Sequence, residues 1–200
     1  MVYVPSSLDA ARPAPLVLCL HGANSAGTRS IVALRDAAET HALLLVAPDS
    51  RGRTWDVLLG GYGPDVAFIN RALDAVTAHF RVDPERIAAE GFSDGASYAL
   101  SLAIANGDLF THIMAFSPGF MAPPSQAGTP RIFISHGTED RVLPIAACSR
   151  RLHPILVRAG YDVTYREFDG PHTVPPTIAT EAVAWFLGQA SASNSTSAAP

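Results

Sequence analysis

The segment Gly91-Phe92-Ser93-Asp94-Gly95 sets a serine between two glycines, after an apolar run at 86–92 and before an Ala-rich stretch at 96–106. A strand followed directly by a helix forces a sharp turn at that serine. Side chains two residues to either side would collide, and glycine at both places removes the collision. The hydroxyl is then held clear of the sheet, where it can attack an electrophilic carbon. A serine hydroxyl is a weak nucleophile at neutral pH. It needs a base, a group that orients the base, and donors for the oxygen that becomes negative.

Each role has a candidate in a loop that follows a strand-like run. His172, in Asp169-Gly170-Pro171-His172-Thr173, follows the last such run and is the candidate base. The other six histidines fall at helix ends, strand edges or the first loop. His136 is the nearest rival, but the candidate acid is only four residues away. That acid is Asp140, in His136-Gly137-Thr138-Glu139-Asp140. It is preferred to Glu139 because a shorter arm suits a fixed bond to an imidazole Nδ1. The structural alternative for Asp140 is a cap on the segment that begins at Pro144. The order serine, acid, histidine is one of the known chain orders of such a triad. Two backbone amides are needed for the oxyanion. The residue after the nucleophile, Asp94, supplies one. The loop His21-Gly22-Ala23-Asn24-Ser25 supplies the other, through Ala23 or, less favoured, Asn24. The His21 ring is expected to brace that loop.

Positioning these residues calls for a parallel sheet, in which strand C-terminal ends carry the site. Strand-like runs at 16–20, 43–47, 87–92, 112–116, 132–135 and 163–168 alternate with helical patterns at 30–41, 65–80, 96–106, 144–159 and 177–187. That alternation is the signature of βαβ units. Within 65–80, Val66, Ile69, Leu73, Val76 and Phe80 form one apolar stripe. Residues 83–85 read as a short capped turn, and Pro154 as a kink. Residues 1–190 read as one domain and 191–200, small and polar, as a disordered tail.

On His21-Gly22, the Ser93 turn, 140–144 and His172-Thr173, the chain resembles the α/β-hydrolase superfamily. It is most similar to the phospholipase/carboxylesterase group and to polyhydroxybutyrate-depolymerase-like esterases. The resemblance implies a three-layer α/β-hydrolase fold with a mostly parallel sheet and helices on both faces. It implies a Ser93-Asp140-His172 triad that cleaves a carboxylic ester through an acyl-enzyme. Three features depart from the pattern. The oxyanion loop has Ala23-Asn24 rather than a longer glycine run. The amino terminus is shortened and lacks the leading strands usual in these families. Glu90 stands three residues before the nucleophile. Glu90 lies in a strand that should be buried, where a carboxylate needs a partner or a raised pKa. It is expected either to pair with Arg29 or Arg51, or to reach water at the strand end.

Composition narrows the chemistry further. All fourteen basic residues are arginine, which removes Ser-Lys dyads, Schiff-base lysines and phosphate-loop lysines. Charged residues are 16% and hydrophobic ones 48%, a balance that suits a sheet covered on both faces. The net charge of -4 gives no footprint for nucleic acid or an anionic membrane. Cys19 and Cys148 lack metal-ligand spacing and read as buried thiols of a reducing compartment. With no signal-like start and no long apolar span, a cytoplasmic protein without membrane insertion is expected. Neither cofactor nor metal is expected, and the assembly is read as a monomer or small homo-oligomer.

The Pro- and Gly-rich stretch 117–131 leaves no room for a cap domain, so the pocket should be shallow and suited to small, short-acyl, soluble esters. Phe120 and Met121 are candidates for the acyl wall, and Trp55 for the opposite one, with Asn24 nearby. Two other readings stand beside the esterase. One is a thioesterase or protein deacylase with the same chemistry. The other is a hydrolase fold kept as a non-catalytic ligand-binding protein.

Overall fold

The computed structural model describes residues 1–189; the expected tail at 191–200 lies outside the described residues. Seven strands form one sheet: β1 (Val2–Tyr3), β2 (Ala14–Leu20), β3 (Leu44–Val46), β4 (Val82–Phe92), β5 (His112–Phe116), β6 (Arg131–Gly137) and β7 (Val163–Phe168). Their spatial order is β1-β3-β2-β4-β5-β6-β7. Every pairing is parallel except that of β1 with β3 at one edge. Every residue of β2, β3 and β5 is buried, as expected of strands covered on both faces.

The strands are joined by α1 (Gly27–Ser30), α2 (Arg35–His41), α3 (Pro64–His79), α4 (Asp94–Ala105), α5 (Ser149–Arg158) and α6 (Pro176–Phe186). Two apolar clusters make the layers. One face packs Leu16, Leu18, Ala89 and Ile113 against Ile69 and Leu73 of α3, Leu100 of α4 and Leu156 of α5. The other packs Val17, Cys19, Ala88 and Met114 against Leu34, Ala38 of α2 and Val183 of α6. Alternate residues of a strand serve opposite faces. The three-layer, mostly parallel architecture implied by the resemblance is therefore present.

Three local expectations are corrected. The helix expected at 30–41 is broken into α1 and α2. The Ser30 hydroxyl donates to the Gly27 carbonyl at 2.8 Å, a side-chain bond that competes with helix propagation. The stripe of Ile31, Leu34 and Ala38 is buried all the same. The turn expected at 83–85 belongs to β4. The Asp83 carboxylate does accept from the Glu85 amide at 3.0 Å, and the β2–β4 register shifts here, pairing Ala14 with Val82 and Leu16 with Ile87. The helix expected from residue 144 begins at Ser149, and Pro144 instead accepts turn bonds from Ala147 and Cys148. The β5–β6 connection, residues 117–130, holds no helix.

Candidate functional site

The carboxyl ends of β2, β4, β6 and β7 bring the candidate residues to one rim of the sheet. Ser93 follows β4 with φ 58° and ψ −122°, a conformation that only glycine adopts freely. Such a residue stores on the order of 1–3 kcal/mol of strain, so the surrounding structure must hold it. Its amide donates to the Phe116 carbonyl at 2.9 Å, and its carbonyl accepts from Ala96 and Ser97, which start α4. The glycines permit this turn. A Cβ at Gly91 would collide with the Gly95 backbone, and one at Gly95 with the Leu20 carbonyl. Among the described residues the Ser93 hydroxyl has no hydrogen-bond partner.

Asp140 sits in the loop after β6, 5% exposed. Its Oδ1 accepts the Val142 and Leu143 amides at 2.9 and 2.8 Å. Its Oδ2 accepts from His172 Nδ1 at 2.6 Å. Burial alone would push this carboxyl up. The Leu143 amide, His172 and the Val142 amide outweigh burial and hold it below the usual carboxylate range. Glu139, the rejected alternative, is exposed on the surface. His172 stands in the loop after β7. Its ring lies 4.5 Å, centre to centre, from that of Phe92, the residue before Ser93. With Nδ1 bound to the acid, Nε2 is the free nitrogen.

One contributor was missed in the sequence, where His136 entered only as a rival base. It is fully buried. Its Nδ1 accepts from the Ser149 hydroxyl at 2.7 Å. Its Nε2–H faces the Leu143 carbonyl at 2.7 Å and Asp140 Oδ2 at 3.2 Å. Burial, the largest influence, pushes its pKa down despite the Leu143 carbonyl and Asp140, so a neutral ring braces the acid loop. A histidine four residues before the acid was the only available signal.

The oxyanion candidates separate cleanly. Asn24, in the left-handed region at φ 53°, has its amide committed to the Arg53 carbonyl at 2.8 Å. The amides of Ala23 and Asp94 make no backbone hydrogen bond among the described residues. The Asp94 carboxylate is fixed separately, accepting from the Thr54 hydroxyl at 2.7 Å. His21 makes the expected bracing bonds. Its Nδ1–H donates to the Gly22 carbonyl at 2.7 Å, and its Nε2 accepts the Ser50 amide at 3.0 Å.

The wall residues fare differently. Trp55 is not a wall: it is 0% exposed, stacked 5.0 Å from Tyr98, and its indole N–H is spent on the His21 carbonyl at 2.8 Å. Its function is to support the His21 loop from below. Phe120 and Met121 are half-buried on the β5–β6 connection. Glu90 is corrected on both counts. It is 3% exposed, so it does not reach water freely, and no ion pair joins it to Arg29 or Arg51 among the described residues. The Arg51 guanidinium lies instead 3.9 Å above the Phe68 ring. Burial pushes the Glu90 carboxyl up to about 8, with only the Cys19 thiol pulling the other way.

Residues 66–176 match the family model described as Esterase, and the chain belongs to that family. It is 27% identical over 150 residues to feruloyl esterase C of Emericella nidulans, across 71% of this chain and 54% of that protein. The chain spans about half the length of the curated relatives it matches, 42–54% for three of them. Among solved structures, esterase PE8 superposes with a TM-score of 0.73 at 24% identity, covering 95% of this chain and 98% of that one. A phospholipase/carboxylesterase from Dyadobacter fermentans gives 0.71 at 21% identity, covering 93% and 95%. The chain thus has the α/β-hydrolase fold of an esterase. No helix among the described residues is long and apolar enough to cross a membrane.

Proposed function

We propose that the chain is a serine carboxylic-ester hydrolase that works through an acyl-enzyme on small, short-acyl esters. The observation that carries this reading is the 2.6 Å bond from His172 Nδ1 to a buried Asp140, with the His172 ring 4.5 Å from that of Phe92, the residue before Ser93. Asp140 fixes the tautomer and favours the imidazolium that forms during reaction. His172 takes the Ser93 proton as Oγ attacks the ester carbonyl. The amides of Ala23 and Asp94 receive the oxyanion. His172 then delivers the proton to the departing alcohol oxygen, leaving Ser93 acylated. Water, deprotonated by the same imidazole, releases the acid and restores the serine.

The preference for short acyl groups rests on the β5–β6 connection. It carries Phe120 and Met121 but no helix that could roof a long chain. The test is hydrolysis of p-nitrophenyl acetate by the intact protein and by Ser93→Ala. Turnover that vanishes in the variant supports the proposal. Equal turnover in both would refute the assignment of Ser93. Tight binding of a small ligand without turnover would favour a binding protein on this fold.

A further inference from the structure

Beside the triad lies a cavity of about 210 Å³. It opens between the His21 loop, α1 and the loop that carries His172. Gly22, Arg29, Glu90, Phe92, His172 and Val174 are among the residues that line it. The cavity adjoins the nucleophile. A Cβ placed on Gly22, which lines the cavity, would sit 3.4 Å from the Ser93 Cβ.

Two facts single out Glu90. Its Oε2 is buried and has no hydrogen-bond partner, and its neighbours in register are Cys19 and Met114. An orphaned polar atom on an apolar strand costs stability. Side chains that break the local rules in this way cluster where a protein handles a ligand.

The position of the cavity says which part of an ester it would hold. The leaving oxygen must receive its proton from His172, so the alcohol portion departs along the histidine's side. That is the side on which this cavity lies. Resting on the esterase reading above, we infer that the cavity receives the alcohol portion of the ester. The Glu90 carboxyl is then its specificity group, hydrogen-bonding a hydroxyl carried by that alcohol.

The chemistry of the carboxyl selects the hydroxyl. Burial keeps the proton on Glu90 at neutral pH. It therefore presents one O–H donor and one carbonyl acceptor, and a hydroxyl offers the complement of both. A plain alkyl alcohol would leave the carboxyl unpaired. An ammonium would first have to ionise it.

The experiment compares glycerol monobutyrate with propyl butyrate, following the butyric acid released at neutral pH. The readout is the ratio of the two kcat/KM values within each protein. The wild type should favour the glycerol ester. Glu90→Leu should lower that ratio by about tenfold, the order of one buried hydrogen bond. Glu90→Gln, whose amide also donates and accepts, should retain most of it. Should the Leu variant not fold, Glu90→Met takes its place. A ratio unchanged by Leu or Met overturns the inference while leaving the esterase standing. A wild type that cleaves neither ester overturns the esterase reading and the inference with it.

Discussion

Asp140 gathers four donors on one buried carboxylate: two backbone amides, His172 and the brace from His136. That convergence favours Asp140 over the exposed, adjacent Glu139 as the proposed acid. Asp140→Asn should keep the fold yet lower kcat by about 10⁴, because the amide no longer enforces the tautomer that frees Nε2. Steady-state kinetics alongside circular dichroism checks both halves. His136 acts through Asp140 rather than on substrate. His136→Ala should lower kcat by on the order of 10–100-fold with KM little changed, the scale of a slight misplacement of a catalytic group. A proportional rise in KM at constant kcat would contradict that positioning role. Glu90 makes a prediction of opposite sign. Its carboxyl has a pKa of about 8 in the fold against 4.5 as its ordinary value. Between those values the native state binds more protons than the unfolded chain, so stability falls as pH rises through that window. Glu90→Gln should remove this decline and be the more stable protein above the folded pKa by a few kcal/mol, at about 1.4 kcal/mol per unit. Thermal melts of both proteins across that range, run in parallel, would refute it if the curves stayed a constant distance apart.

At the scale of elements, strand ends and helix starts carry the chemistry. The Ser93 turn was legible because its glycines are dictated by close backbone approach, which leaves a sequence mark. Gly95→Ala drives a methyl into the Leu20 carbonyl. It should cost on the order of 4 kcal/mol or more, the range reserved for severe packing violations. A chemical denaturation midpoint close to wild type would contradict this. The acid and histidine loops were legible for a different reason: polar residues of the right type follow apolar strands in the right order. The break between α1 and α2 was not. The stripe Ile31, Leu34, Ala38 is the same whether the backbone is one helix or two, and the Ser30–Gly27 bond that separates them is local. Trp55 misled for a related reason. A large aromatic near site loops reads as a wall, and nothing in the sequence marks its indole as spent on the His21 carbonyl. Nor could the sequence show that Asn24 has its amide engaged, since that depends on Arg53 lying opposite.

For the molecule as a whole, a seven-strand sheet between two helical layers supplies a rigid rim, and the β5–β6 connection leaves the site uncapped. Open access of this kind predicts that kcat/KM for p-nitrophenyl esters declines steadily from butyrate to dodecanoate. A profile that rises with chain length would mean an acyl channel absent from this architecture. The fold was readable because alternating apolar runs and amphipathic stripes encode layers, whereas the cavity beside Glu90 is assembled from the His21 loop, α1 and the His172 loop, which are far apart in sequence. The central claim is that Ser93 is an activated nucleophile. Treatment of the folded protein with a fluorophosphonate probe, followed by peptide mass spectrometry, tests it most directly. The account predicts a single adduct on the peptide containing Ser93, lost in Ser93→Ala and strongly slowed in His172→Ala. No adduct, or one on another residue, would contradict it.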